Sequence, residues 1–232
     1  DELVALARVA ADHGGIYATH VRDEGDDLLD AVEEAIEVGR RANVPVQVSH
    51  HKAMGADNWG AIRYTLRKLE LVREREGVEV QVDQYPYTAS STSLGALLPE
   101  WAHDGGTGEL LARLDDEATR ARIADELADR VDSWDDVLVT NVQAEQLQGV
   151  QGRTIAEITA ERDDDQDPET VVMDLVLADR DRVRHVHFSM DETDVETVMR
   201  HRLTAIGSDG NSLAPEGPLG DAAVNGLAGQ TH

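Results

Sequence analysis

An amphipathic helical stretch followed by a short β-branched run occurs three times before residue 83, and this repetition restricts the possible folds more than any other feature of the chain. Residues 3–11 carry apolar side chains at helical spacing and break at His13, Gly14 and Gly15; residues 16–21 follow as a strand. Leu28, Val32, Ala35, Ile36 and Gly39 mark one face of a second helix, ahead of a strand over 44–48. Trp59, Ile62, Leu66, Leu69 and Val72 mark a third, ahead of a strand over 78–82. Helix–strand repetition of this kind builds a parallel sheet through right-handed crossovers. Periodicity alone leaves an open sheet and a closed barrel equally available.

The repeat is lost between Ala102 and His187. Helices near 115–130, 154–162 and 168–178 surround a short strand at 137–139, and Thr154 and Glu157 have capping-box spacing. This stretch is too long for a βα connection and too patterned for disorder, so it reads as an inserted lid or small subdomain. The repeat resumes with a strand over 184–188, a helix over 191–200, and a strand over 204–206 that delivers Gly207-Ser208-Asp209-Gly210; if Tyr85 and Asp209 end consecutive strands of the repeat, the 184–188 strand belongs with the insertion instead. Residues 212–232 show no periodicity and read as a loop or a severed end. The expected organisation is 1–102 as βα units, 103–183 as the insertion, and 184–232 as the last strand region with a truncated loop.

Charge narrows the partners. Forty-seven acidic residues against 21 basic ones give a net charge of −26, which opposes nucleic acid and anionic membrane surfaces. Such self-repulsion is relieved by salt, because the Debye length falls to about 3 Å at 1 M, and the composition suits a salt-rich cytoplasm such as a halophile's. A merely acidic protein is the alternative. No apolar run approaches the roughly 18 residues of a membrane span, and there is no Cys, hence no thiolate ligand. Expected localisation is cytoplasmic. Only Lys52 and Lys68 accompany the arginines, and the chain opens inside an amphipathic pattern without Met, which reads as a piece of a longer protein.

Polar residues collect at strand ends. His20 and His50 follow equivalent strands 30 residues apart, and Asp83, Gln84 and Tyr85 follow the next; in α/β folds this rim binds ligands. Adjacent parallel strands lie about 4.8 Å apart, so two imidazoles there can share one Zn²⁺, or simply hydrogen-bond to each other. Asp209, framed by glycines, can take a proton from attacking water and return it to a leaving amine, or merely form a turn. The Tyr85 phenol can face an oxyanion or pack. Lys52, two residues beyond His50 and on the same side of an extended strand, can pair with a substrate carboxylate or snorkel at the surface. His51 faces the other way and reads as structural.

Taken in order, Gly14-Gly-Ile-Tyr-Ala-Thr-His20-Val-Arg-Asp-Glu-Gly25, Val48-Ser-His50-His-Lys52, Asp83-Gln-Tyr85-Pro-Tyr-Thr-Ala-Ser-Ser91-Thr and Ile206-Gly-Ser-Asp209-Gly resemble the N-acyl-D-amino-acid deacylases, or D-aminoacylases, of the amidohydrolase superfamily. The resemblance runs from about residue 3 to about residue 219. It implies an α/β fold, the C-terminal part of a (β/α)8 metal-dependent hydrolase barrel with an inserted lid. It also implies one tightly bound zinc held by His20 and His50, with a second, weaker metal, and catalysis by Asp209 with Tyr85 polarising the scissile carbonyl. Lys52 and Ser91 would position the substrate, an N-acyl-D-amino acid. The family's His-x-His pair and Cys ligand, and the arginine that grips the substrate carboxylate, have no counterpart here, so the chain alone is expected to be inactive. Two other readings stay open: a dihydroorotase- or hydantoinase-like enzyme acting on cyclic amides, and a non-catalytic truncated barrel serving as a binding module.

Overall fold

The computed structural model describes residues 1–162 and 166–210; the loop expected over 212–232 lies outside them. Elements are numbered along the chain. The described residues form two compact units, one built from Asp1–Thr88 and the residues from Ser189 onward, the other from Ala89–Phe188.

The first unit contains helices α1 (Glu2–Asp12), α2 (Leu28–Ala42), α3 (Ile62–Glu76) and α8 (Glu192–Met199), with strands β1 (Tyr17–Thr19), β2 (Val46–Val48), β3 (Val80–Gln84) and β7 (Thr204–Ile206). The four strands form one all-parallel sheet in the order β1-β2-β3-β7. Leu28, Val32 and Ile36 of α2 and Ile62, Leu66 and Leu69 of α3 bury the stripes that the sequence shows, against Val46, Val48, Val80 and Val82 of the sheet. α2 ends where Asn43 takes the left-handed conformation at φ 52° and its N–H reaches the Gly39 carbonyl, a conformation Asn tolerates better than most residues. Gly39 itself is required by packing: a Cβ there would stand 2.3 Å from Val46 Cγ2 and 3.3 Å from the Val44 carbonyl.

The second unit is α+β. Strands β4 (Ser90–Ser93), β5 (Val137–Asn141) and β6 (Arg184–His187) form an antiparallel sheet with β6 in the centre. Helices α4 (Thr107–Asp115), α5 (Glu117–Ala128), α6 (Ile155–Ala160) and α7 (Pro168–Ala178) close an aliphatic core around Leu110, Leu127, Ile155 and Val172. The capping box at α6 is present, with Thr154 Oγ1 accepting from the Glu157 N–H and the Glu157 carboxylate accepting from the Thr154 N–H. His185 is 1% exposed on the central strand, and its Nδ1 finds no hydrogen-bond partner among the described residues.

Two expectations are corrected. Of the two placements open to the strand over 184–188, resumption of the parallel repeat does not hold and membership in the insertion does. β3 pairs directly with β7, while β6 pairs antiparallel with β4 and β5, so this strand goes with the insertion. The insertion expected over 103–183 is flanked by β4 and β6, and the units divide at Thr88/Ala89 and Phe188/Ser189. No helix among the described residues is long and apolar enough to cross a membrane.

Candidate active site

All four parallel strands of the first unit point their C-terminal ends at one rim, and each hands over a polar residue there. His20 follows β1 directly. Ser49 and His51 extend the ladder past β2, their N–H groups donating to the Thr19 and Asp83 carbonyls at 2.9 and 2.8 Å. Between them His50 adopts φ 39°, a left-handed conformation that costs a non-glycine residue about 1–2 kcal/mol. Asp83 on β3 offsets that cost: its Oδ1 accepts the His50 N–H at 2.7 Å and its Oδ2 accepts the Gln47 Nε2–H at 2.6 Å.

This turn places the His50 ring over the His20 ring, with centroids 4.4 Å apart, and brings His20 Nδ1 and His50 Nε2 face to face. Two imidazole nitrogens aimed at one point fit two of the three or four positions that zinc takes. Among the described residues no group of three or more His, Asp or Glu is arranged to hold a metal, so the pair fits as part of a ligand set.

Because the chain turns at His50, Lys52 meets it by folding back, and the expectation of an extended strand with both residues on one side does not hold. Lys52 is 4% exposed, which excludes a snorkelling surface lysine. Its Nζ lies 2.5 Å from Glu24 Oε1, 2.9 Å from the His50 carbonyl and 2.7 Å from His50 Nδ1. Burial pulls the Lys52 pKa down, and the negative charges of Glu24, Asp209 and Asp83 restore it in part. Burial alone would raise the Glu24 pKa, but hydrogen bonds from His50 and Lys52 and the charge of Lys52 outweigh it, and the carboxyl lies below its usual value. Sequence reasoning assigned Glu24 no role.

Tyr85, just past β3, is buried against Met190 and Val195. Its hydroxyl donates to Met190 Sδ at 3.6 Å, while Lys52 Nζ sits 5.6 Å from its ring centroid. Burial and the charges of Glu24 and Asp209 raise its pKa. Asp209 lies beyond β7, exposed and left-handed at φ 52°, and its charge reaches both Lys52 and Tyr85. His51 turns inward, as its sequence position implies. Its Nε2–H donates to Thr65 Oγ1 at 2.7 Å, and burial, with the Lys52 charge, pushes its pKa down to about 4. Ser91 belongs to the second unit, where it is exposed on β4 opposite Val186.

The C-terminal rim of the parallel sheet thus carries paired imidazoles, a buried Lys–Glu pair and an exposed aspartate, at the edge where α/β folds bind ligands. No protein-family model matches the chain. The D-aminoacylase of Alcaligenes xylosoxydans xylosoxydans is 33% identical over 210 residues, which is 90% of this chain and 34% of that protein. The crystal structure of N-acyl-D-glutamate deacylase from Bordetella bronchiseptica, complexed with zinc and a phosphonate mimic of the tetrahedral intermediate, superposes with a TM-score of 0.67. It is 31% identical over 90% of this chain and 35% of that one. A crystal structure of D-aminoacylase, described as defining a novel subset of amidohydrolases, gives a TM-score of 0.64 at 32% identity, again over 90% of this chain and 35% of the other. The chain belongs to the D-aminoacylase, or N-acyl-D-amino-acid deacylase, family, and spans about a third of the length of the relatives it matches.

Proposed function

We propose that this chain carries part of the active site of a zinc-dependent hydrolase that cleaves the amide bond of N-acyl-D-amino acids, releasing a carboxylate and a D-amino acid. The observation that carries this reading is the convergence of His20 Nδ1 and His50 Nε2 at the strand ends, in a chain similar to a deacylase solved with zinc. The parallel sheet is then the C-terminal part of a (β/α)8 barrel, and the second unit, Ala89–Phe188, is its inserted lid.

Zinc, when bound by His20 and His50, supplies the Lewis acidity that makes water nucleophilic near neutral pH. Asp209 is exposed enough to meet solvent and substrate; it takes the proton of the attacking water and returns it to the departing nitrogen. Tyr85, kept protonated by its raised pKa, turns from Met190 to donate to the carbonyl oxygen as negative charge develops there. Lys52 and Ser91 position the substrate, Lys52 by sharing its charge between Glu24 and the substrate carboxylate.

The test is deacylation of N-acetyl-D-methionine in high salt with Zn²⁺, comparing this chain with a version extended to the length of its relatives by their flanking sequence. Activity in the extended protein, lost on Asp209→Asn, is the expected result. A folded, zinc-loaded extended protein that leaves the substrate intact refutes the reading.

A further inference from the structure

The His50 imidazole carries one movable proton, and two neighbours compete over where it sits. Lys52 Nζ lies 2.7 Å from His50 Nδ1; an ammonium there can only donate, which requires a bare Nδ1 and puts the ring proton on Nε2, pointing at His20. Glu24 Oε1 lies 2.9 Å from the same Nδ1; a carboxylate there can only accept, which requires Nδ1–H and leaves the Nε2 lone pair free. Only the second arrangement lets His50 ligate a metal through the nitrogen that faces His20.

Glu24 is built to win this competition. Its main-chain carbonyl accepts the Met54 N–H at 2.7 Å, and Asp23 Oδ1 accepts the N–H groups of Gly25 and Asp27 at 2.8 and 3.1 Å, so the loop that presents it is pinned at both sides. Its side chain is 19% exposed, dry enough for a charge-assisted hydrogen bond to keep its strength. The same Oε1 takes the Lys52 ammonium at 2.5 Å, which commits a proton of that donor to the carboxylate while its nitrogen stays beside the ring.

We infer that Glu24 is a positioning residue: it fixes His50 as the Nδ1–H tautomer and thereby turns the Nε2 lone pair toward zinc. The inference rests on the proposed role of His50 as a ligand. Carboxylates that orient a ligating imidazole typically govern metal affinity by about 10–100-fold. Without Glu24, Lys52 is the polar partner left to Nδ1 among the described residues, the ring proton moves to Nε2, and the two histidines close onto each other through a hydrogen bond.

The experiment measures zinc affinity of the protein extended to the length of its relatives, by competition with a chromophoric chelator, alongside the ¹⁵N spectrum of the His50 ring in folded protein. Glu24→Ala should weaken zinc binding by about 10–100-fold and shift the metal-free ring to Nε2–H. Glu24→Gln, whose amide oxygen still accepts from Nδ1, should stay near wild type. Adding Lys52→Met to Glu24→Ala should recover part of the loss, which a merely structural role for Glu24 would not produce. Zinc binding lost in His20→Ala and His50→Ala but unchanged in Glu24→Ala overturns this inference alone. Zinc binding unchanged in the two histidine variants overturns the metal reading, and this inference with it.

Discussion

His185 makes the second unit sensitive to acid by an amount that can be worked from its surroundings. It sits on the central strand β6 between Thr92 of β4 and Val139 of β5, almost fully buried. Burial, and then the charge of His187, pushes its pKa from 6.5 down to about 4. The folded protein therefore holds fewer protons at this site than the unfolded chain between those two values. Stability linked to the site is fully present above pH 6.5 and is lost as pH falls toward 4. At about 1.4 kcal/mol per unit, the whole window corresponds to about 3 kcal/mol, of which about 2 kcal/mol is lost between pH 7 and pH 5. The assay is denaturant unfolding at both pH values and constant high salt, followed by fluorescence of Trp101 and Trp134, which pack against the core of this unit, in a Trp59→Phe background. His185→Gln should show a pH 7 to pH 5 loss smaller than wild type by about 2 kcal/mol, whatever its absolute stability. An identical pH dependence in the two proteins, or a His185 ring resonance that titrates near 6.5, would sink the argument.

Gly39→Ala should destabilise the first unit by about 1–3 kcal/mol despite the better helix propensity of Ala, because its Cβ meets Val46 Cγ2 at 2.3 Å; Val46→Ala in the same chain should recover part of the lost thermal stability. Thr154→Ala removes one half of the capping box of α6 and should cost about 1 kcal/mol, seen as faster amide exchange in the first turn of that helix. With a net charge of −26, raising KCl from about 0.1 to 1 M shortens the Debye length from about 10 to 3 Å. Tm should rise by at least roughly 2–4 °C, the equivalent of about 1 kcal/mol for a chain of this size.

The parallel unit was readable from sequence because α2 and α3 bury their apolar stripes, apart from Trp59, which precedes α3 and is exposed, and their strands are Val-rich on the inward face; spacing alone therefore predicts that layer. β4 was not readable. Its Ser-Ser-Thr-Ser sequence has no alternation of apolar and polar residues, and it is a strand only because β6 offers it a ladder. The membership of β6 depended on the same tertiary fact, since an antiparallel central strand and a parallel buried one share a pattern. At the rim, His20 and His50 could be anticipated because strand ends in α/β proteins gather polar side chains. Glu24 could not: a buried Lys52 demands a counter-charge, but the chain offers 47 acidic residues and only the turn at His50 selects among them. The Tyr85 hydroxyl likewise meets a sulfur contributed from more than a hundred residues away.

The direct pairing of β3 with β7 has a consequence for how such a chain can change. Everything between them is a detour in the covalent path, and its two ends are already sewn together, with the Met190 N–H donating to the Thr88 carbonyl at 3.1 Å. A segment whose entry and exit are neighbours behaves as a cassette. It can be lengthened, shortened or exchanged while the join stays closed, because loop-closure entropy grows only with the logarithm of length. The stretch Ala89–Phe188 can thus change in length without reopening the β3–β7 seam, which leaves the histidine rim on the strands that carry it.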